Sequence, residues 1–263
     1  MSKVVASDGT SIAFDWTGSG PPVILVDGAF CHRKLGPAPK LVPLLSSHFT
    51  VFSYDRRGRG ESTDTAPYSV EREIDDLAVL IGEAGGSAYV LGMSSGAALG
   101  VRAAAAGLGI GKLALYEPPF TAVDARHAAP PANAGEVLQA LVDKGQPGRA
   151  ARYFLTSVMG MPAPVVTLMS LVPGLWSKTK ASAGSLPHEI AVMGDWTVPT
   201  DDLNSIKVPA VVISGEKSPQ KLRAAAQAVA DADPAIRHEV LAGQSHNVSM
   251  AVLAPVVINF FGS

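Results

Sequence analysis

Only one cysteine, Cys31, occurs in the 263 residues. An internal disulfide is therefore excluded, and a single thiolate cannot build a metal cluster. Charge is also scarce: Asp, Glu, Lys and Arg make up 17% of the chain, against about 25% in an ordinary globular protein. This argues against a disordered or highly charged interaction protein. The 21 Lys+Arg and 23 Asp+Glu give a net charge of −2, and no charge run is longer than the Arg56-Arg57 pair with neighbouring Arg59. Nucleic acid, which needs a clustered positive surface, is not an expected partner. Nor is a membrane. The most apolar stretch, Ala88 to Tyr116, is broken by Arg102, Lys112 and several glycines and cannot span a bilayer. The N-terminus reaches the charged turn at Asp8 with no apolar h-region and no cleavage site, which predicts a cytoplasmic protein. No internal repeat is visible.

What is present is apolar material, 47% of the chain, enough for a large buried core. Short β-rich runs alternate with helical patterns, which predicts an α/β fold with a mostly parallel central sheet flanked by helices. Lys3–Ala6 and Ser11–Trp16 flank an Asp8-Gly9-Thr10 hairpin turn. Pro22–Val26, Thr50–Tyr54, Ala88–Leu91, Lys112–Tyr116, Ala210–Ser214 and His238–Leu241 read as strands. Helices are expected over Pro39–Leu45, Glu71–Glu83 with Ser69 as N-cap, Ser95–Ala106, Pro219–Ala230 and the C-terminal segment.

Between Phe120 and Ile206 the pattern changes to Ala-, Pro- and Met-rich sequence without a strong strand. Helices are expected near residues 134–144, 147–158, 164–171 and 187–194. The division that follows is a core of residues 1–120 and 207–263 with a helical cap, or lid, over 121–206. Met and Trp residues of this insert either hold it to the core or line an apolar substrate pocket.

The strongest chemical motif is Gly92-Met93-Ser94-Ser95-Gly96, a G-x-S-x-G between a strand and a helix. A sharp turn there lifts the Ser94 hydroxyl above the sheet and aims a helix N-terminus at the reacting centre. Ser94 is the expected nucleophile; Ser95 lacks the symmetric glycines.

With this motif, the sequence resembles the α/β-hydrolase superfamily over nearly its whole length. Tyr54-Asp55-Arg56-Arg57-Gly58-Arg59-Gly60-Glu61-Ser62 is similar to the family's D-x-R-G-x-G-x-S stretch. Asp27-Gly28-Ala29-Phe30 is similar to its H-G-x-x oxyanion loop, with Asp27 in the place of the usual His. Gln244-Ser245-His246-Asn247 stands where the family keeps its catalytic histidine. The resemblance implies the α/β-hydrolase fold with a lid, and an oxyanion hole made by the N–H groups of Ala29 and Ser95, with Phe30 as the alternative donor. It implies His246 as base. Gly28, Phe30, His32 and Met93 beside the reacting centre, with Met159, Trp176 and Trp196 in the insert, are the expected substrate contacts. His48, His127, His188 and His238 are expected on surfaces.

The acid departs from the family's pattern. Its usual place after the strand Ala210–Ser214 reads Gly215-Glu216-Lys217-Ser218, with serine in the aspartate's position. Serine cannot supply the charge that stabilises an imidazolium. Glu117, at the end of the strand Lys112–Tyr116, is favoured, because some members take their acid from this strand, among them lactone hydrolases of the zearalenone-degrading kind. Glu216 and Asp195 are the alternatives.

The expected activity is hydrolysis of a carboxylic ester or lactone of a mid-sized apolar small molecule through an acyl-enzyme, with no metal or organic cofactor. C–C bond hydrolysis or cofactor-free perhydrolysis would use the same residues, and a non-catalytic ligand binder remains open. An exposed apolar lid face would support a homodimer.

Overall fold

The computed structural model describes residues 2–121 and 129–263. Strands β1 (Ser2–Val5), β2 (Ser11–Thr17), β3 (Pro22–Val26), β4 (Thr50–Tyr54), β5 (Ala88–Met93), β6 (Ile110–Tyr116), β7 (Ala210–Gly215) and β8 (Ile236–Leu241) form one sheet. Their order is β1-β2-β4-β3-β5-β6-β7-β8. The pairs β1·β2 and β2·β4 are antiparallel and all the others parallel. Helices α1 (Ala38–Leu45), α2 (Val70–Glu83) and α3 (Ser95–Ala105) alternate with the strands as far as β6. Between β6 and β7 come α4 (Ala134–Asp143), α5 (Pro147–Tyr153), α6 (Ala163–Ser170), α7 (Pro173–Ala181), α8 (Leu186–Met193) and α9 (Thr200–Ser205). The chain finishes with α10 (Gln220–Ala232) before β8 and α11 (Met250–Gly262) after it.

The continuous apolar runs of the central strands follow from burial on both faces. Ile24 and Val26 of β3 face one core, with α2, α3 and α10, while Val23 and Leu25 face the other, with α1 and α11. Val212 and its neighbours Val211 and Ile213 on β7 divide in the same way. Each such side chain contributes about 1.5–3 kcal/mol when fully buried. Helix α2 starts where expected, with the Ser69 hydroxyl accepting the Arg72 N–H at 3.4 Å.

Among the described residues, the six α-helices between β6 and β7 contain the four expected ones and two more, α7 and α9. Pro173 at the start of α7 gave little periodic pattern to follow, and α9 is only six residues long. The helix expected over 147–158 is α-helical to Tyr153 and then widens into a π-helix, Phe154–Val158. Such turns often occur at functional sites, and this one delivers Met159 to the cavity described below. Among the described residues, no helix is long and apolar enough to cross a membrane.

Candidate active site

At the C-terminal edge of the parallel strands lies a cavity of about 580 Å³. Its floor is the turn between β5 and α3. Ser94 occupies that turn with φ +54°, a left-handed conformation that costs a serine energy. Flanking glycines make the turn feasible. A Cβ on Gly96 would stand 2.1 Å from the Val26 carbonyl oxygen, and one on Gly92 would stand 2.5 Å from Ala97 Cα. Ser94 is thus pressed against the sheet between two positions where only glycine fits. Its N–H donates to the Tyr116 carbonyl at 2.8 Å, tying the turn to β6.

Beside it runs the loop after β3. A Cβ on Gly28 would lie 2.9 Å from Ser94 Cβ and 3.5 Å from its Oγ, so this loop and the serine are in contact. The N–H groups of Ala29 and Ser95 have no acceptor among the described residues. Phe30 follows at φ +63°. Two buried arginines hold the loop from behind. Arg56 Nη1 donates to the Asp27 carbonyl at 3.2 Å; Arg59 Nη1 donates to those of Gly28 at 2.7 Å and Cys31 at 3.2 Å. Glu189 of α8 pairs with both arginines, and Glu73 of α2 accepts Arg56 Nε at 2.5 Å. The arginine stretch that followed β4 in the sequence therefore braces the loop beside Ser94.

Asp27 starts that loop. Its buried carboxyl makes no hydrogen bond among the described residues. Burial pushes it up to about 7; Arg59 and Arg56 pull it down and Asp55 opposes them. The thiol of Cys31 is pushed up to about 12, chiefly by burial, which leaves it a neutral part of the cavity wall.

Opposite, the loop after β8 carries His246. Tyr116 Oη donates to the Ser245 carbonyl at 2.7 Å, fixing this loop over the end of β6. His246 Nδ1 is 2.7 Å from Glu117 Oε2, and the Gly215 N–H donates to Glu117 Oε1 at 2.7 Å. Burial pushes the Glu117 carboxyl up, but the hydrogen bonds from His246 and Gly215, with the Ser218 hydroxyl nearby, together outweigh it and hold the group below the usual carboxylate range. Glu117 sits at φ +45°. Of the four described non-glycine residues with positive φ, three are Phe30, Ser94 and Glu117, the clustering of strain that functional sites show. Ser94 Oγ and His246 are not hydrogen-bonded to each other here; such contacts commonly tighten only with substrate bound.

The other carboxylates weighed for this place lie elsewhere. Glu216 accepts the Gly243 N–H at 2.7 Å, and Asp195 accepts the N–H and hydroxyl of Thr197 at 2.9 and 2.6 Å. Among the described residues no group of three or more His, Cys, Asp or Glu is arranged to hold a metal ion.

The cavity wall includes the expected Gly28, Ala29, Phe30, Met93 and Met159, together with Lys40, Tyr116, Val248 and Met250. Three expected contacts do not line it. Trp196, at φ +66°, is buried in the main core after α8, and Trp176 on α7 packs with the Arg152 guanidinium 5.9 Å from its ring centre. Both anchor helices to one another, and no residue of 160–206 lines the cavity. His32 turns back to pair with Leu35 and lies 3.8 Å from Asp55. Two histidines expected on surfaces are in fact tucked in. His188 is buried, stacked on Tyr68 with ring centres 3.8 Å apart, and His238 bonds Ser214 at 2.9 Å. His48 is exposed, and His127 lies outside the described residues. Lys40 and the residues around Val248 carried no motif; only their nearness in chain to the Gly28 and His246 loops could have indicated them.

Comparison with known proteins agrees with this architecture. Residues 23–257 match the model of the alpha/beta hydrolase family. An alpha/beta hydrolase from Sphaerobacter thermophilus superimposes with a TM-score of 0.91 at 48% identity, over 99% of this chain and 100% of that one. An enol-lactonase from Burkholderia xenovorans has a TM-score of 0.75 at 21% identity, covering 100% of both chains. A thermophilic esterase from Thermogutta terrifontis has a TM-score of 0.73 at 21% identity, over 99% of this chain and 97% of that one. The last two likenesses are of fold.

Proposed function

Since this chain belongs to the alpha/beta hydrolase family, we propose that it is a serine hydrolase cleaving a carboxylic ester or lactone of a mid-sized, largely apolar molecule. The observation that carries the reading is the convergence of three distant segments on one cavity: strained Ser94, the loop at Gly28 in contact with it, and the bonded pair His246–Glu117.

In this mechanism His246 takes the proton of Ser94 as its oxygen attacks the carbonyl carbon. Negative charge gathers on the carbonyl oxygen, where the N–H groups of Ala29 and Ser95 receive it; neither has another acceptor among the described residues, and the α3 N-terminus adds its dipole. Collapse breaks the C–O bond, and His246 gives its proton to the leaving alkoxide. Water then attacks the acyl-enzyme with the same histidine as base, releasing the acid and restoring Ser94. Glu117 keeps the imidazole in the tautomer with hydrogen on Nδ1 and stabilises its charged form. Its bond to Gly215 leaves the carboxylate little freedom to swing away. The helices from α4 to α9 act as a cap that covers one side of the cavity through Met159.

Hydrolysis of 4-nitrophenyl butyrate and a small lactone series by wild type, Ser94→Ala and His246→Ala tests this. Turnover by wild type and its loss in both variants is the expected result. Undiminished turnover in Ser94→Ala overturns it.

A further inference from the structure

The acids of this chain avoid the cavity. The 23 Asp and Glu residues leave four long segments empty: 28–54, 84–116, 144–188 and 240–263 contain none. They supply, in that order, the cavity's loop and α1, then Met93, Ser94 and Tyr116, then Met159, and last His246 to Met250. Two buried carboxyls lie behind the wall: Glu117, bonded to His246 and Gly215, and Asp27 before Gly28, pushed up to about 7 by burial. Cations are not excluded in the same way. Residues 144–188 alone hold Lys144, Arg149, Arg152, Lys178 and Lys180.

One cation is part of the wall. Lys40, in the first turn of α1, lines the cavity, and its amine has no hydrogen bond or ion pair among the described residues. Its neighbours in sequence differ. Arg33 pairs with Asp15, Asp55 and Glu61, and Lys34 pairs with Glu61 at 3.2 Å, so their charges are answered within the protein. A second amine stands behind the wall. Lys221 Nζ donates to the Met159 carbonyl at 3.0 Å, with burial disfavouring its charge. Apart from Lys40, the lining carries no Lys, Arg, Asp or Glu side chain. A cleft whose charges share one sign raises the local concentration of oppositely charged ligands and speeds their capture.

We propose that the substrate is anionic: an ester or lactone whose apolar body fills the cavity beside Met93 and Met159 and whose carboxylate, or a like anion, meets Lys40. This rests on the hydrolase reading above and narrows its substrate class.

The test uses two matched pairs of esters, since the anion could lie on either side of the bond. One pair is the mono-4-nitrophenyl ester of suberic acid and its terminal carboxamide analogue. The other is the butyrate ester of 4-hydroxybenzoate and that of 4-hydroxybenzamide. In at least one pair the carboxylate is expected to show about five-fold higher kcat/KM at low salt, the scale of one partly exposed charge contact. The ratio shrinks as sodium chloride screens the field, and Lys40→Glu inverts it. Titrating the same four esters into the Ser94→Ala protein by calorimetry gives the comparison as binding, without turnover. Carboxamides that react and bind as well as carboxylates in both pairs, unchanged by salt or by Lys40→Glu, overturn the proposal and leave the hydrolase reading standing. Failure of every ester to react, with the carboxylates still bound preferentially, removes the hydrolase reading and leaves the anion site.

Discussion

Glu117 and His246 are 129 residues apart in sequence, yet Glu117 Oε2 lies 2.7 Å from His246 Nδ1. The contact crosses from the end of β6 to the loop after β8, with β7 between them. The intervening strand contributes as well, because its last residue, Gly215, donates an N–H to the other carboxylate oxygen at 2.7 Å. A Cβ on Gly215 would stand 2.6 Å from the Gln244 carbonyl oxygen, so the three strand ends can come this close only around glycine.

Glu117→Gln keeps the shape of this contact and removes its charge. Turnover is expected to fall about 10²- to 10⁴-fold while the circular dichroism spectrum stays that of wild type. Glu216→Gln, whose carboxylate bonds only the Gly243 N–H among the described residues, is expected to stay within about two-fold of wild type, as surface changes usually do. The reverse pattern would move the acid to β7. Because Glu117 is held below the usual carboxylate range, it remains ionised through mildly acidic pH, and the Gln variant should be equally impaired at pH 6 and pH 8.

Asp27 makes stability depend on pH with the opposite sign to an ion-paired carboxylate. Its folded value of about 7 exceeds the ordinary 3.8, so folding favours the protonated form. The stability this group contributes is full below about pH 4 and is lost as pH rises through about 7, by at most about 4 kcal/mol. Asp27→Asn is expected to flatten that fall: its Tm should drop less than the wild-type Tm between pH 5 and pH 8. Parallel curves would contradict the assignment.

Gly96→Ala places a methyl 2.1 Å from backbone oxygen in β3. The turn holding Ser94 must shift, and both stability and turnover are expected to drop sharply. Gly82→Ala, in α2 with open space around the added Cβ, is the matched control. It should raise stability by up to about 1 kcal/mol in urea denaturation, the ordinary gain of alanine over glycine in a helix.

Met159→Ala is expected to raise KM several-fold for long-chain esters, since Met159 lines the cavity and its truncation removes apolar contact surface. Trp176→Phe, against Arg152 and away from the cavity, should lower Tm and leave KM alone. A KM change in both would mean that α7 also contacts substrate.

Much of this was legible in the sequence, and for identifiable reasons. Pro22–Val26 and Thr50–Tyr54 are bounded by turn residues and buried on both faces, so their limits match the strands formed. Gly92 to Gly96 announced its turn because glycine is needed at two fixed spacings from Ser94. Glu117 could be singled out because the usual acid position holds Ser218. The cap was harder. Its helices are short and nearly uniform in polarity, so Trp176 and Trp196 looked as available to substrate as Met159, and only the packing of α5 on α7 and α8 on α3 separates them. The pairing of Arg56 and Arg59 with Glu189 spans more than a hundred residues, and no local pattern records it.

Peptide mapping after reaction with a fluorophosphonate tests the central claim most directly. The account requires one adduct, on Ser94, absent in Ser94→Ala and formed far more slowly in Glu117→Gln. An adduct on Ser95 or elsewhere, or no adduct in a protein that still hydrolyses esters, would contradict it.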